Sequence, residues 1–310
     1  MELFFSFLLL ILGFVMLVKG ADWFVEGASS IAGRLGIPQL VIGLTVIAMG
    51  TSAPEAAVSI TAALKDSADI TVGNIVGSNI LNILIILGIT SAIAPVAVSK
   101  TALLTDIPFM IFITLLMAVL GMDGTVGLAD GTVLLIFFAA YLAFLFIRTK
   151  RNKAPDNVEI KKRKLWQSIL FTLTGLALIV LGSDTAVDSA VSIAKAFGMS
   201  ERFIGLTIIA LGTSLPELFT SVAAARRGNA DMAVGNVIGS NLFNILFVVG
   251  ISSVITPVPF SPKFLTDTAV AAAAGIILIC CAAKRKRVGR IGGTVMLMGY
   301  ALYFAMLCLR

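Results

Sequence analysis

The sequence has no histidine, little cysteine and few charged residues. Its three cysteines, Cys280, Cys281 and Cys308, lie in apolar segments near the C-terminus. An odd number of cysteines without any histidine leaves neither a disulfide framework nor a Cys/His metal site. Only 13% of the 310 residues are charged, and 58% are hydrophobic. A water-soluble domain needs far more charge to cover its surface, so the composition indicates an integral membrane protein.

Apolar segments long enough to cross a bilayer fill nearly the whole chain. A helix needs about 20 apolar residues to span the hydrocarbon layer. We predict ten such spans, and the first and sixth should continue as amphipathic extensions to residues 31 and 196. The ten spans cover residues 3–18, 38–64, 70–98, 103–121, 129–147, 165–183, 202–225, 230–257, 266–283 and 290–309. Because Glu2 stands where a signal peptide would carry basic residues, we interpret the first segment as a transmembrane helix.

Basic residues are distributed unevenly between the two sides of this arrangement. The linker 148–164 carries eight Lys or Arg residues and two acidic residues. With this linker in the cytoplasm, alternation puts 17 basic residues on the cytoplasmic side and 5 on the other. The positive-inside rule therefore predicts a cytoplasmic linker and external termini, in the cell inner (plasma) membrane. The net charge of +6 is explained as a topology signal, and we expect no nucleic-acid partner.

Two segments of the chain are copies of each other. Residues 50–96 and 212–258 align with a constant offset of 162 and share 25 identities in 47 positions, including GTS(A/L)PE and VGN(I/V)(V/I)GSN. We therefore predict an all-α polytopic membrane protein with two five-helix repeats, residues 1–147 and 165–310, joined by the basic linker 148–164. An odd number of helices per repeat forces the repeats into opposite orientations. Inverted repeats of this kind are typical of secondary transporters.

Each repeat carries a proline inside its second span, in GTSAPE at 50–55 and GTSLPE at 212–217. Proline lacks an N–H and its ring clashes with the carbonyl four residues earlier, so the helix should break there. We expect Thr51 and Ser52 to cap the following half-helix, whose positive N-terminal end favours the carboxylate of Glu55. In lipid, such a break survives only where it lines a cavity buried in protein or filled with water.

The next helix of each repeat carries a polar stripe. Asn74, Ser78 and Asn82 recur every four residues and therefore share one face of the third span. The eighth span repeats the pattern with Asn236, Ser240 and Asn244. We expect the third and eighth helices to be broken, as the second and seventh are.

Two carboxylates inside apolar spans predict a cation site. A carboxylate at that depth costs at least about 2.5 kcal/mol, yet Glu55 and Glu217 occupy equivalent positions beside the two breaks. Carboxylates, hydroxyls, amide oxygens and freed backbone carbonyls suit Ca²⁺ and Na⁺, whereas Zn²⁺ and Cu⁺ would need Cys or His. One Ca²⁺ or at least two Na⁺ would neutralise the pair. A site that either one divalent or several monovalent ions can fill indicates an exchanger.

Both repeats resemble those of a known family. GTSAPE with GNIVGSNILN, and GTSLPE with GNVIGSNLFN, closely resemble the two alpha-repeats of the sodium/calcium exchanger branch of the cation/calcium exchanger superfamily. The resemblance covers nearly the whole chain and identifies it as a prokaryotic member. It implies that Ca²⁺ is extruded against an inward Na⁺ gradient by alternating access. It also implies that the long first and sixth helices slide across a core of eight helices.

The resemblance further implies which residues bind the ions. Glu55 and Glu217 supply the central carboxylates, and Ala48 and Ala210 supply backbone carbonyls. The remaining implied ligands carry hydroxyl, carbonyl or amide oxygens: Thr51, Ser52, Ser78, Asn82, Thr213, Ser214, Ser240 and Asn244. The implied partners are the transported Ca²⁺ and Na⁺ and the lipid bilayer, with no cofactor and no obligate protein partner.

Several alternatives differ in the coupling ion or in the class of protein. Some relatives, including the potassium-dependent branch, carry Asp where this chain has Asn244, which weakens K⁺ co-transport. An H⁺/Ca²⁺ antiporter stays open, because a carboxylate pair can also carry protons. A cation channel is disfavoured because two buried carboxylates would hold Ca²⁺ too tightly to conduct well. A membrane enzyme is disfavoured because the chain has no histidine base and no HExxH motif.

Overall fold

The computed structural model describes residues 2–65, 69–151, 164–198 and 210–309. Within them, eight helices are long and apolar enough to cross a membrane, and a bent pair of shorter helices would make nine. The eight long helices are Leu3–Leu35, Thr71–Ile93, Ala102–Leu120, Leu128–Lys150, Leu165–Ala196, Ala230–Ile255, Pro262–Ala283 and Arg290–Leu309. The bent pair, Gln39–Thr51 and Ala53–Leu64, occupies the predicted second span.

Shorter helical segments make up several of these helices. In chain order the segments are Glu2–Leu35, Gln39–Ile42, Ala48–Thr51, Ala53–Leu64, Asp69–Leu81, Leu87–Ile93, Ile107–Leu120, Leu128–Arg151, Leu165–Ala196, Ala210–Gly212, Leu215–Arg226, Ala230–Phe243, Gly250–Ile255, Pro262–Ala283 and Arg290–Leu309. Wider π-helical turns join some of them, at Gly43–Ile47, Asn82–Ile86, Ala102–Asp106 and Asn244–Val249.

Most predicted spans coincide with observed helices, and the first and sixth are the long ones, as expected. They run over 34 and 32 residues. At 1.5 Å per residue each is about 50 Å long, more than the hydrocarbon thickness, so both must tilt or project from it. Of the predicted seventh span, only the part from Ala210 onward is among the described residues, and linker residues 152–163 lie outside them.

The prediction of breaks in the third and eighth helices is wrong. Thr71–Ile93 and Ala230–Ile255 are each continuous enough to count as one span. Neither contains proline, so no backbone donor is missing and nothing forces a break. Each instead accommodates one π-helical stretch, beginning at Asn82 and at Asn244. The second span does break, with a bend of 52°.

The third and eighth helices lie at the centre of the molecule. About three quarters of their apolar windows are buried, against 17% for the first helix and 11% for the tenth. Their polar stripes therefore face protein rather than lipid. A large hydrophobic core surrounds them, and a second, smaller core lies between the first helix, the sixth helix and parts of the second and seventh.

The first and sixth helices approach each other closely through small residues. Gly13, Gly20 and Gly27 recur every seven residues along one face of the first helix. A Cβ added to Gly20 would lie 2.8 Å from the carbonyl oxygen of Gly175. Gly13 faces Gly182 and Gly27 faces Thr172. The order of these contacts shows that the two helices are antiparallel and form a tightly packed pair.

Four two-residue strands tie the loops of the two repeats together, which the all-α prediction missed. Strand β1 (Val96–Ala97) pairs antiparallel with β4 (Arg287–Val288), with Val96 opposite Val288. Strand β2 (Thr125–Val126) pairs with β3 (Val258–Pro259), with Val126 opposite Val258. Each ladder therefore joins a loop of the first repeat to a loop of the second.

Candidate functional site

The break in the second span places a carboxylate at the centre of the protein. Ser52 leaves helical geometry, with φ −85° and ψ 9°, and Pro54 begins the next half-helix without an N–H to donate. Glu55 follows in the first turn and is 1% exposed. In the second repeat, Ser214 has nearly the same backbone angles, φ −92° and ψ 4°, and Glu217 is fully buried.

The hydroxyls at the break do not cap the half-helices, so that expectation is wrong. Ser52 occupies the N-cap position, yet its hydroxyl makes no capping hydrogen bond. It donates to Oε1 of Glu217 at 2.8 Å, in the other repeat. Thr51 likewise donates to Oδ1 of Asn236 at 3.2 Å. The carboxylate and amide acceptors across the interface bind these hydroxyls in place of the local backbone N–H groups.

An amide from the neighbouring helix supports each half-helix. Asn74 donates to the hydroxyl of Ser59 at 3.0 Å and to the carbonyl of Glu55 at 3.5 Å. The second repeat has the same arrangement, since Asn236 donates to Ser221 at 3.0 Å and to the carbonyl of Glu217 at 3.4 Å. These bonds fix the half-helix against the polar stripe, so Asn74 and Asn236 position the glutamates.

Asn82 and Asn244 are held crosswise by two residues that the sequence analysis did not single out. The amide of Asn82 donates to Oδ1 of Asn241 at 3.0 Å, and that of Asn244 donates to Oδ1 of Asn79 at 3.1 Å. The amides of Asn79 and Asn241 donate to each other's backbone carbonyls at 3.2 and 3.1 Å. The Gly-Ser-Asn triplet at equivalent positions of both repeats was the available signal.

Six buried oxygens of the predicted ligand residues have no hydrogen-bond partner. They belong to two carboxylates, two amides and two hydroxyls, and each repeat contributes some of them: Glu55 Oε2, Glu217 Oε2, Asn82 Oδ1, Asn244 Oδ1, Ser214 Oγ and Ser240 Oγ. A buried polar atom without a partner costs free energy, so such atoms call for an explanation. A bound cation would satisfy all six at once.

The other predicted ligands lie in the same region, with two exceptions. Ala48, Thr51 and Ser78 are buried beside the break or on the stripe. Thr213 is only partly buried, unlike its counterpart Thr51. For Ala210 only the backbone is described, as the first residue of the short helix before the second break.

The donor set at this site consists of oxygen atoms. No group of three or more His, Cys, Asp or Glu side chains suited to a metal ion occurs among the described residues. The two carboxylates bring a formal charge of −2, and the other oxygens are neutral. Such a set fits a hard cation that tolerates irregular geometry, such as Ca²⁺, and also fits Na⁺.

Comparisons with known proteins agree with this geometry. The family model described as "Sodium/calcium exchanger protein" matches residues 5–147 and 167–309. The sodium/calcium exchanger MaX1 of Methanosarcina acetivorans is 33% identical, over 97% of this chain and 98% of that protein. The inner membrane protein YrbG of Escherichia coli is 36% identical, over 96% and 95%. The solved structure of the sodium-calcium exchanger NCX_Mj superposes with a TM-score of 0.86 and 35% identity, over 97% and 98%.

Proposed function

This chain belongs to the sodium/calcium exchanger protein family, and we propose that it exchanges Ca²⁺ for Na⁺ across the membrane as a secondary active antiporter. The observation that carries this proposal is the set of six buried, unpartnered oxygens around Glu55 and Glu217. The names of MaX1 and NCX_Mj describe exchangers, which supports transport rather than enzymatic catalysis.

Charge balance explains why such a site would exchange ions. The empty site carries −2 in a region of low dielectric, where uncompensated charge is costly. One Ca²⁺ cancels it, and so do two Na⁺. The site can then change its accessible side only when it is filled by one or the other, which couples the two fluxes.

We assign the ligands by role. Glu55 and Glu217 neutralise the ion, and the side-chain oxygens of Asn82 and Asn244 complete the centre from the two π-helical stretches. Ala48 and Ala210 supply backbone carbonyls next to the breaks. Hydroxyl groups fill the remaining positions: Thr51, Ser52, Ser78, Thr213, Ser214 and Ser240. Asn79 and Asn241 bind no ion and orient the two central amides.

We further propose ten spans arranged as two inverted repeats, residues 1–147 and 165–310. Two strand ladders support this arrangement, because inverted repeats bring the loop after the third span beside the loop after the ninth, as β1 and β4 are. The loops after the fourth and eighth spans are likewise paired by β2 and β3. Arg148 pairs with Asp106 at 2.9 Å, which joins the end of the fifth span to the start of the fourth.

The proposed orientation has the linker 148–164 in the cytoplasm and both termini outside. The uneven distribution of Lys and Arg supports it. We propose the inner (plasma) membrane as the location, in keeping with the name of the Escherichia coli relative.

Flux measurements on the purified protein test the proposed exchange. Proteoliposomes are loaded with Na⁺, with K⁺ or with an acidic interior, and uptake of radioactive Ca²⁺ is followed. We expect uptake only from Na⁺-loaded vesicles. Uptake driven by the acidic interior alone would assign the protein to H⁺/Ca²⁺ exchange, which the two carboxylates can also support. Uptake without any counter-ion would indicate a channel and contradict exchange.

A further inference from the structure

A short turn between the ninth and tenth spans concentrates positive charge. Residues 284–290, KRKRVGR, carry five basic side chains, and all five are exposed. No Asp or Glu follows Asp267 in the sequence. Within the described residues, none of the five basic side chains forms an ion pair. Their charge is therefore not balanced by nearby acidic groups.

Four of these basic residues line a cleft of about 520 Å³. The cleft lies where the end of the ninth helix meets the start of the tenth. Its lining includes Lys284, Arg285, Arg287 and Arg290, together with the apolar residues Pro95 and Ile291. Lys286, in the middle of the same turn, is absent from the lining. The cleft thus combines a cationic rim with apolar walls.

The backbone of this turn is fixed by the opposite repeat. Arg287 pairs with Ala97 in the β1–β4 ladder, and the amide of Val98 donates to the carbonyl of Lys286 at 2.8 Å. Lys286 has a φ of 48°, a left-handed conformation that is uncommon for a residue with a Cβ. These contacts hold the basic side chains around the cleft in one arrangement, so an anionic ligand need not order them on binding.

An apolar track leads away from the cleft along the tenth helix. Ile291 lines the cleft and is 83% exposed. Val295, Met298 and Leu302 continue from it at intervals of four, three and four residues, and all are exposed. This spacing places the four side chains on one helical face. A chain of methylene groups could lie along this face while a charged group occupies the cleft.

The internal repeat provides a comparison for this turn. With the offset of 162, residues 284–290 correspond to residues 122–128, MDGTVGL, which contain no basic residue. Strand β2 lies in that turn and pairs with β3, as β4 pairs with β1. The ladder and the turn therefore form without basic side chains. The five basic residues must serve a purpose other than folding the turn.

We propose that this cleft binds the phosphate group of an anionic phospholipid, with an acyl chain lying along Ile291, Val295, Met298 and Leu302. Arg and Lys side chains recognise phosphate oxygens, and basic pockets between transmembrane helices on the cytoplasmic side are suited to anionic headgroups. The apolar track favours a lipid over free phosphate, since phosphate would leave it unused. The lipid site does not depend on which ions the protein exchanges.

A topology signal alone would also account for positive charge in this turn. The two explanations differ in which basic residues matter. For topology, every basic residue on the same side counts alike. For a lipid site, the residues that line the cleft matter most. Lys286 lies in the same turn outside the cleft, so it provides the matched control.

The test measures lipid binding to the purified full-length protein by native mass spectrometry in detergent. Palmitoyl-oleoyl phosphatidylglycerol is titrated, and palmitoyl-oleoyl phosphatidylcholine serves as the zwitterionic comparison. We expect phosphatidylglycerol to bind selectively to the wild type. The double variant Arg285→Gln/Arg287→Gln should bind it about 25-fold more weakly, at about fivefold per charge. The control Lys286→Gln/Lys150→Gln, which also loses two charges, should change binding less than about threefold.

Further arms decide between the remaining readings. Equal weakening in the two double variants would reduce the turn to a nonspecific charge effect and overturn the proposal. Displacement of the lipid by inorganic phosphate at millimolar concentration would assign the cleft to free phosphate and overturn the lipid assignment. Unchanged lipid binding in Arg285→Gln/Arg287→Gln would overturn it as well. Melting temperatures in lipid-free detergent verify that both variants are folded before binding is compared.

Discussion

Three buried carboxylates distinguish the ion site from a structural ion pair. Asp106 is fully buried, and Arg148 pairs with it at 2.9 Å. Glu55 and Glu217 are buried as deeply, yet no basic side chain of the described residues pairs with either. A buried charge without a counter-charge is strongly destabilising, and the hydroxyl of Ser52 on Glu217 supplies only a neutral donor. A bound cation is the missing counter-charge.

Replacing either glutamate by glutamine should abolish Ca²⁺ exchange without preventing insertion. Glu55→Gln or Glu217→Gln removes half of the charge that faces the ion and keeps the size of the side chain. Breaking a buried charge pair costs about 3–5 kcal/mol, so we expect Ca²⁺ binding at least about 100-fold weaker. Radioactive Ca²⁺ flux in proteoliposomes measures it. The control Asp123→Asn, in an exposed loop, should transport normally. Normal flux in either glutamine variant would contradict the site.

A third carboxylate at the centre should change the coupling ions. Asn244→Asp raises the formal charge of the empty site from −2 to −3, so one Ca²⁺ no longer balances it. We expect the variant to take up a proton or K⁺ together with Ca²⁺, since joint ionisation of three close carboxylates is unfavourable. Na⁺-driven Ca²⁺ flux is measured from about pH 6 to 9, with and without K⁺. Wild-type flux should vary little above about pH 7, and superimposable profiles would mean that Asn244 does not face the ions.

At the scale of helices, two different devices bring oxygens to the site. Proline breaks the second span and frees backbone groups, whereas the third and eighth helices remain continuous and carry π-helical stretches. Such stretches occur frequently at functional sites. Here they begin at Asn82 and Asn244, whose amides are fixed by Asn241 and Asn79. Each central amide therefore depends on the helix of the other repeat.

Removing one of the supporting amides should weaken Ca²⁺ binding moderately. In Asn241→Ala, the amide of Asn82 loses its acceptor, and its Oδ1 is free to turn away from the ion. One hydrogen bond contributes about 0.5–1.5 kcal/mol, so we expect about two- to tenfold weaker apparent affinity with an unchanged maximal rate. Asn79→Ala should have the same effect through Asn244. A variant whose maximal rate falls while its affinity is unchanged would show that Asn241 acts otherwise than by orienting Asn82.

The tight packing of the first helix on the sixth should not tolerate a larger residue. A side chain at Gly20 would meet the backbone of Gly175, which cannot move aside as a side-chain tip can. Overpacking typically costs about 1–3 kcal/mol, so Gly20→Val should lower the melting temperature in detergent. A Cβ at Gly127 would lie 3.8 Å from its nearest neighbour, so Gly127→Ala is the control and should melt like the wild type. Equal melting temperatures for all three proteins would contradict this packing.

For the whole molecule, the two repeats meet at the polar centre and at both ends. Hydrogen bonds cross between the repeats at the site, and strand ladders join their loops. At one end, Arg227 pairs with Glu26 at 3.2 Å, which links the loop after the seventh span to the first helix. This linkage is the one expected if the first and seventh spans end on the same side.

The proposed orientation predicts which loops reagents can reach from outside. In a background without Cys280, Cys281 and Cys308, Asn157→Cys should react with a membrane-impermeant maleimide only after the cells are permeabilised. Asp123→Cys, in the loop after the fourth span, should react in intact cells. Labelling of Asn157→Cys from outside intact cells would invert the topology.

The sequence by itself determined the spans, the two proline breaks and the pair of buried glutamates. These features are local, since a run of apolar residues or one proline acts through its own segment of backbone. The repeat also showed that the two halves are equivalent. It did not show the contacts between them, such as the hydroxyl of Ser52 on Glu217 or the amide of Asn82 on Asn241.

Only the tertiary structure decided those contacts, the π-helical stretches and the basic cleft. A contact between residues about 160 positions apart leaves no periodic trace in either segment. A π-helical turn leaves the apolar pattern of a span intact, so a polar stripe could not distinguish it from a break. The basic turn at 284–290 was visible as charge, but the cleft exists because the β1–β4 ladder fixes that turn against the other repeat.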